Sequence, residues 1–260
     1  MSIAITEDHK ALAETVSAFL TKHDARGAAR ALLEAEAEPL PAFWGDLADL
    51  GWLGLHLPEA HGGSGFGIPE LVTVIEELGR AVAPGPFVPT TVVSAVIAAA
   101  GSAEQQQRWL PGLADGSVVG AVALASAAEL RDGALHGSAG VVMSGALANV
   151  MLVAVGDDVA IVDVAAGGVT AEVPKNLDPT RRSARVSLDG AAADVMSGAG
   201  VVLTAYARLL FAAEATGMAR ECTEMAAEYA KVREQFGRPI AMYQAVKHHC
   251  ANMLVATELA

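Results

Sequence analysis

The chain has only two cysteines in its 260 residues. Cys222 and Cys250 sit in helical patterns, with no Cys-x-x-Cys and no histidine set at ligand spacing. Neither a disulfide nor a thiolate metal site is indicated on that ground, and two buried thiols in a reducing compartment are expected. Cations are scarce as well: 17 Lys and Arg stand against 30 Asp and Glu, for a net charge of −13, and no basic run breaks the deficit. Phosphate backbones would be repelled, so nucleic acid is not an expected partner. Long apolar runs are missing too. The stretch VPTTVVSAVIAAA, Val88 to Ala100, carries Thr and Ser and falls short of the ~20 residues that a membrane-spanning helix needs. The opening MSIAITEDHK lacks the basic start and apolar centre of a secretory signal. A cytoplasmic protein without a membrane span is the expectation.

What is present divides into three regimes. Apolar residues recur at helical spacing up to about Asp115, with Leu12, Val16, Phe19 and Leu20 on one face and Phe43, Leu47, Leu50 and Leu53 on another. Pro69, at the first turn of a later helical pattern, marks where that helix begins. From Ser117 the pattern changes to short β-rich runs, VVGAVAL, VMLVAV, VAIVDV, VTAEV and ARVSL, with Gly156-Asp157-Asp158 as a hairpin turn. Helical periodicity returns from Ser197 and continues to Ala260, interrupted at Phe236 to Pro239. The fold class is therefore α+β: an N-terminal α-helical domain over residues 1–116, a small central β-barrel or sandwich over 117–196, and the first part of a helical bundle over 197–260. Leu209, Leu210, Ala213, Met218 and Met225 on one long helix, and Val246, Met253 and Leu254 on the next, form stripes that two helices alone cannot bury. An incomplete bundle that needs further partners is expected.

One stretch joins those two helices: YAKVREQFGRPIAMYQAVKHHCANM, Tyr229 to Met253, whose turn carries two cations and an aromatic. Earlier, LGWLGLHLPEAHGGSGFG at Leu50 to Gly67 and EELGRAVAPGPF at Glu76 to Phe87 punctuate the helical region. Together these resemble the acyl-CoA dehydrogenase family. Its helix-turn signature, Tyr then Arg-x-x-Phe-Gly-x-x-Ile and Gln, matches as Tyr229, Arg233, Phe236, Gly237, Ile240 and Gln244. The resemblance implies an FAD enzyme that removes two hydrogens from the α and β carbons of an acyl-CoA thioester. A glutamate takes the α proton in that chemistry, and the flavin takes the hydride. It also implies that Arg233, Phe236 and Gln244 contact the FAD of a neighbouring chain. A guanidinium offers a rigid fork of donors to a pyrophosphate, and Phe an apolar face.

The sequence also departs from the family. Its hydroxyl- and acid-bearing flavin loop is matched by LASAAELRDGALHG, Leu124 to Gly137, with Ala125 and Ser126 at the polar positions. Val141 and Met143 stand where the family has a Trp against the flavin and a Thr at its N5 region; neither supplies a ring face or a donor. One of the family's two locations for the catalytic glutamate precedes an Arg that matches Arg208, and the residue there is Ala207. Arg208 is expected to meet the CoA portion of a substrate, while no catalytic residue can be assigned. The expectation is a flavin-dependent acyl-CoA dehydrogenase subunit or half that completes the FAD site of another such subunit or domain, in a homo- or hetero-oligomer. The alternative is a non-catalytic, structural relative that has lost flavin binding.

Three further clusters invite a chemical reading. His248, His249 and Cys250 are successive on a helix, about 100° apart, so they cannot share one metal, and the two histidines are read as surface or interface groups. Asp157-Asp158 is read as a turn. Asp178-Pro179-Thr180-Arg181-Arg182 is read as a structural turn whose arginines could meet an acidic partner surface.

Overall fold

Thr6 begins the first helix with a capping box: its hydroxyl accepts from the His9 amide, and the His9 ring accepts from the Thr6 amide. The computed structural model describes residues 5–260, so the start of the signal-peptide reading, residues 1–4, lies outside the described residues. Six helices follow in order: α1 (Glu7–Lys22), α2 (Ala25–Ala31), α3 (Trp44–Asp49), α4 (Ile68–Arg80), α5 (Phe87–Ala100) and α6 (Ala103–Ala114). Pro69 lies in the first turn of α4, and Glu70 reaches back to the Gly67 amide at 2.9 Å. Ser102 and Gln105 close the same kind of box at the start of α6.

Eight strands come next: β1 (Gly120–Ala123), β2 (Glu129–Arg131), β3 (Ala134–Met143), β4 (Val150–Val155), β5 (Asp158–Asp163), β6 (Val169–Glu172), β7 (Ser183–Ala192) and β8 (Asp194–Met196). They form two four-stranded sheets, ordered β1-β4-β5-β8 and β2-β3-β7-β6. Of barrel and sandwich, the second is the arrangement found. The β4–β5 hairpin turns at Gly156-Asp157, and Gly156 has φ +60°, a value that the αL half of such a turn requires.

Strand alternation explains why the first sheet is so apolar. Val122, Val150, Leu152, Val159 and Ile161 point to the core shared with the helices. Ala121, Ala123, Met151, Val153, Ala160 and Val162 point the other way, to the core between the sheets. A sheet buried on both faces reads as continuous Val, Ile and Leu. The helices α7 (Gly200–Val232) and α8 (Gln244–Glu258) follow, joined by the short hairpin β9 (Glu234–Gln235) and β10 (Arg238–Pro239). By length and composition α7 could cross a membrane. In the fold it instead lies along α4 and α5, adding Leu203, Ala207, Leu210 and Ala213 to the larger core.

The two thiols are not buried as expected: Cys222 is exposed and Cys250 half-buried. The reason is that the C-terminal half of α7 and most of α8 have an open outer side, where Met225, Met253 and Leu254 are also exposed. The stripe that α7 buries is narrower than the periodicity suggests.

His56 lies under α5 with its Nε2 3.1 Å from the Ser94 hydroxyl, and its Nδ1 is buried with no hydrogen-bond partner among the described residues. Loss of hydration holds its pKa down to about 4. Between that value and the ordinary value near 6.5, the unfolded chain binds a proton that the native chain refuses, so stability falls as pH falls through this window. A loss of about 2 kcal/mol between pH 7 and pH 5 is expected from this group. Urea titrations at the two pH values test it: His56→Gln should flatten the acid limb by that amount, and an unchanged limb would assign it to other groups.

Candidate functional site

The stretch between α7 and α8 is built as a two-residue hairpin. Gln235 pairs with Arg238 and Glu234 with Pro239, leaving Phe236 and Gly237 as the loop, with φ +53° and +74°. Positive φ at both central residues is the I′ requirement, which suits Gly237 and strains a bulky residue at 236. Phe236 is 92% exposed, so burial does not offset that strain within the chain. Phe236 is therefore no part of this chain's core. The strained, solvated aromatic is instead held from one side by Tyr243, whose ring meets it edge-to-face at 6.4 Å.

Arg233 ends α7 in an extended conformation, and its carbonyl accepts from the Ile240 amide at 2.8 Å. Its side chain is exposed and has no ion pair among the described residues; the nearby Glu228 is taken by Lys231. Gln244 opens α8 and is exposed. The fold therefore brings Arg233, Phe236 and Gln244 to the turn end of the α7–α8 pair, all with solvated side chains. Arg208 is placed elsewhere, seven helical turns back along α7 from Arg233, exposed and likewise without an ion pair among the described residues.

The face that the resemblance assigns to a flavin ring is different in character. Val141 and Met143 alternate on the outer side of β3, and Val141 is 69% exposed. Leu124 beside them is exposed, and the Ser126 hydroxyl already accepts from the Ala128 amide at 3.0 Å. The strand side chains of this ledge, Val141 and Met143, give apolar area and carry no donor for the polar edge of an isoalloxazine. The residues present do not fit a flavin held by this chain alone. The hairpin, with a guanidinium, a phenyl ring and a carboxamide exposed together, does fit one side of a flavin dinucleotide held elsewhere.

Ala207 is 2% exposed, locked into the core face of α7. Seven residues on, and so on the same face, Glu214 is 5% exposed. Arg181 grips both its oxygens, at 2.5 and 2.9 Å. That carboxylate is committed to holding the β-sandwich against α7 and has no freedom to act as a base. Arg182 is engaged as well: its amide donates to Glu38 at 2.7 Å, and its guanidinium donates to the carbonyls of Glu36 and Ala35. The expectation that these arginines could meet an acidic partner is thus corrected, because segments remote in sequence satisfy both internally. Sequence reading missed this clamp; the one signal for it was two adjacent arginines in a chain poor in cations.

His248 and His249 are exposed, and no group of three His, Cys, Asp or Glu able to hold a metal occurs among the described residues. A cleft of about 380 Å³ among α1, α4 and α7 is lined by Ser17, Thr21, Arg26, Glu77, Arg80 and Glu221, among others. None of Arg208, Arg233, Phe236 and Gln244 lines it.

Comparison with known proteins bears on the family and the fold. Residues 6–117 match the family model described as acyl-CoA dehydrogenase, N-terminal domain, and residues 198–260 match acyl-CoA dehydrogenase, C-terminal domain. The chain is 33% identical over 252 residues to the acyl-CoA dehydrogenase IpdE2 of Mycolicibacterium smegmatis, covering 96% of this chain and 73% of that one. It is 32% identical over 270 residues to the acyl-CoA dehydrogenase FadE34 of Mycobacterium tuberculosis, covering all of this chain but only 37% of that one. Among solved structures, the ChsE4-ChsE5 complex from Mycobacterium tuberculosis superposes with a TM-score of 0.90 at 28% identity, over 99% of this chain and 76% of that one. Helices, sandwich and hairpin, with matches at both ends of the sequence, place the chain in one group of oxidoreductases: it belongs to the acyl-CoA dehydrogenase family.

Proposed function

We propose that this chain serves FAD-dependent α,β-desaturation of an acyl-CoA thioester as the subunit or half that completes a flavin site in another acyl-CoA dehydrogenase subunit or domain. The observation that carries this reading is the exposed Phe236 at positive φ, next to an Arg233 with no ion pair among the described residues and a solvated Gln244. Strain in a solvated aromatic has no reward inside the chain; a ring stacked on it by a partner would supply one. The family's flavin, when bound in the partner, would supply the hydride acceptor. This chain's own contribution is positional. Arg233 binds phosphate, Phe236 covers the ring system against water, and Gln244 offers a donor and an acceptor. Arg208, exposed and unpaired among the described residues, is the residue proposed to meet the anionic CoA portion.

The heteromeric ChsE4-ChsE5 structure supports a two-chain arrangement by likeness. The apolar ledge at Val141 and Met143 supports it from the other side, since it gives this chain little with which to hold a ring. A second reading, a non-catalytic assembly subunit, is favoured by the buried Ala207 where a glutamate would be needed. The chain alone is expected to purify colourless and without acyl-CoA dehydrogenase activity. Mixed with an FAD-containing acyl-CoA dehydrogenase subunit that binds it, the wild type should slow FAD loss from the complex. Phe236→Ala should raise the FAD dissociation constant of that complex about tenfold, the equivalent of ~1.4 kcal/mol. Stoichiometric FAD and turnover in the isolated chain would defeat the proposal. Normal assembly with no effect of Phe236→Ala on FAD would select the second reading.

A further inference from the structure

The helix α4 carries one more carboxylate than its surroundings neutralise. Glu77 is only 7% exposed, yet its side chain forms no hydrogen bond or ion pair among the described residues. The pairings of its neighbours account for this. Arg26 is taken by one oxygen of Glu221 at 2.8 Å, and Arg80 by the other at 3.3 Å and by Glu224. Arg220 holds Glu76 at 2.9 Å. Each of these guanidiniums is therefore committed to another acid. Loss of hydration raises the Glu77 carboxyl above the ordinary carboxylate range, against the pull of Arg80. A buried acid without a partner is costly, and folded chains keep few of them.

Glu77 is not sealed in. It lines the cleft among α1, α4 and α7 and an adjoining one of about 660 Å³ along α1, the two sharing Ser17, Thr21, Glu77 and Arg80. Ser17 and Thr21 are four residues apart on α1, so their hydroxyls stand on the same side of that helix. The Thr21 hydroxyl donates to the Ser17 carbonyl at 2.9 Å, and its oxygen still has a lone pair to offer. Leu20, Ala25 and Ala81 add apolar wall. The charge of the two linings leans to acid: Glu14, Asp24, Glu77 and Glu221 stand against Lys22, Arg26 and Arg80, and Arg80 is shared with Glu224 outside them.

We propose that Glu77, with the hydroxyls of Ser17 and Thr21, binds a primary alkylammonium ion whose methylene stem lies along Leu20 and Ala81. Such an ammonium has three N–H donors and no acceptor, and the cleft offers it one carboxylate and two hydroxyl oxygens. A quaternary ammonium brings no donor. A divalent metal calls for about six oxygen ligands, and no group of three His, Cys, Asp or Glu able to hold one occurs among the described residues. The site does not rest on the flavin reading, since no residue of the hairpin lines either cleft.

The probe is n-butylammonium chloride, titrated at constant ionic strength into the full chain labelled with ¹³C at the glutamate side-chain carboxyls. The Glu77 signal, identified by its loss in Glu77→Gln, is expected to move along one saturation curve. Tetramethylammonium chloride and sodium chloride should leave it in place. Glu77→Gln keeps the volume of a side chain whose burial already favours the neutral form, so it should fold. Read by calorimetric titration, it should weaken n-butylammonium binding about tenfold or more. Ser17→Ala, at an exposed position of α1, should weaken binding roughly two- to fivefold. An unmoved Glu77 signal, tetramethylammonium moving it as far as n-butylammonium, or unchanged affinity in Glu77→Gln would overturn the inference. Nα-acetyl-lysine N-methylamide binding as tightly as n-butylammonium would trace the ammonium to a lysine side chain of another protein, and markedly weaker binding would trace it to a free amine.

Discussion

Gly217→Ala is expected to destabilise the chain by about 3 kcal/mol or more, although alanine is the better helix former by up to ~1 kcal/mol at an open position. The reason is the crossing of α4 and α7. A Cβ built on Gly217 would lie 1.9 Å from the Glu76 carbonyl oxygen, and one on Gly79 would lie 2.2 Å from the Glu214 carbonyl oxygen. Both obstacles are backbone, so no side-chain rotation relieves them and the helices would have to separate. Leu203, Leu210, Leu71, Val74 and Ile75 share the core that such a separation would open. Gly45 in α3 is the control, because a Cβ there would meet nothing within 4 Å. Urea unfolding should show Gly45→Ala unchanged or slightly stabilised and Gly217→Ala strongly destabilised. Equal behaviour of the two would contradict the close approach of the helices.

Arg181→Ala is expected to have an effect of similar size, about 3–5 kcal/mol, because it leaves Glu214 buried without its partner. The pair is short, two-pronged and mostly shielded: the two side chains are 16% and 7% exposed. Its attraction is opposed by the desolvation of both ions, so the loss measures the abandoned charge more than the bond. A double replacement, Arg181→Leu with Glu214→Leu, should therefore recover most of the stability lost in either single variant. Measured in one cycle, a double variant as unstable as the sum of the singles would show that the two residues act independently. The same cycle bears on function. The pair ties the β6–β7 loop to α7, so losing it should free the sandwich from the helix without disturbing the hairpin beyond Val232.

The order of helical, β and helical regions was legible because each rests on local periodicity. Val150 to Val155 and Val159 to Val164 read as strands around Gly156-Asp157-Asp158, and the strands found are Val150–Val155 and Asp158–Asp163. The segments holding β2 and β3 did not read as strands, since Ala, Gly and Ser dilute the alternation and leave mainly Leu135, Ala139 and Val142 to mark the inner face. The hairpin residues were legible as a signature, and Ala207, Val141 and Met143 as departures from it. Their exposure was not, because the sequence of a helix fixes which residues share a face but not what covers that face.

Sequence by itself determined the order of helical, β and helical regions, the break at Phe236 to Pro239, the absence of a carboxylate at position 207 and the kinship that these carry. Tertiary structure alone decided that Glu214 belongs to Arg181, that Gly79 and Gly217 let two helices touch and that Cys222 faces outward. The physical reason is range. Propensity, capping and turn chemistry act within a few residues, whereas an ion pair 33 residues apart in sequence, or a helix crossing 138 apart, exists only once the two cores have placed their elements.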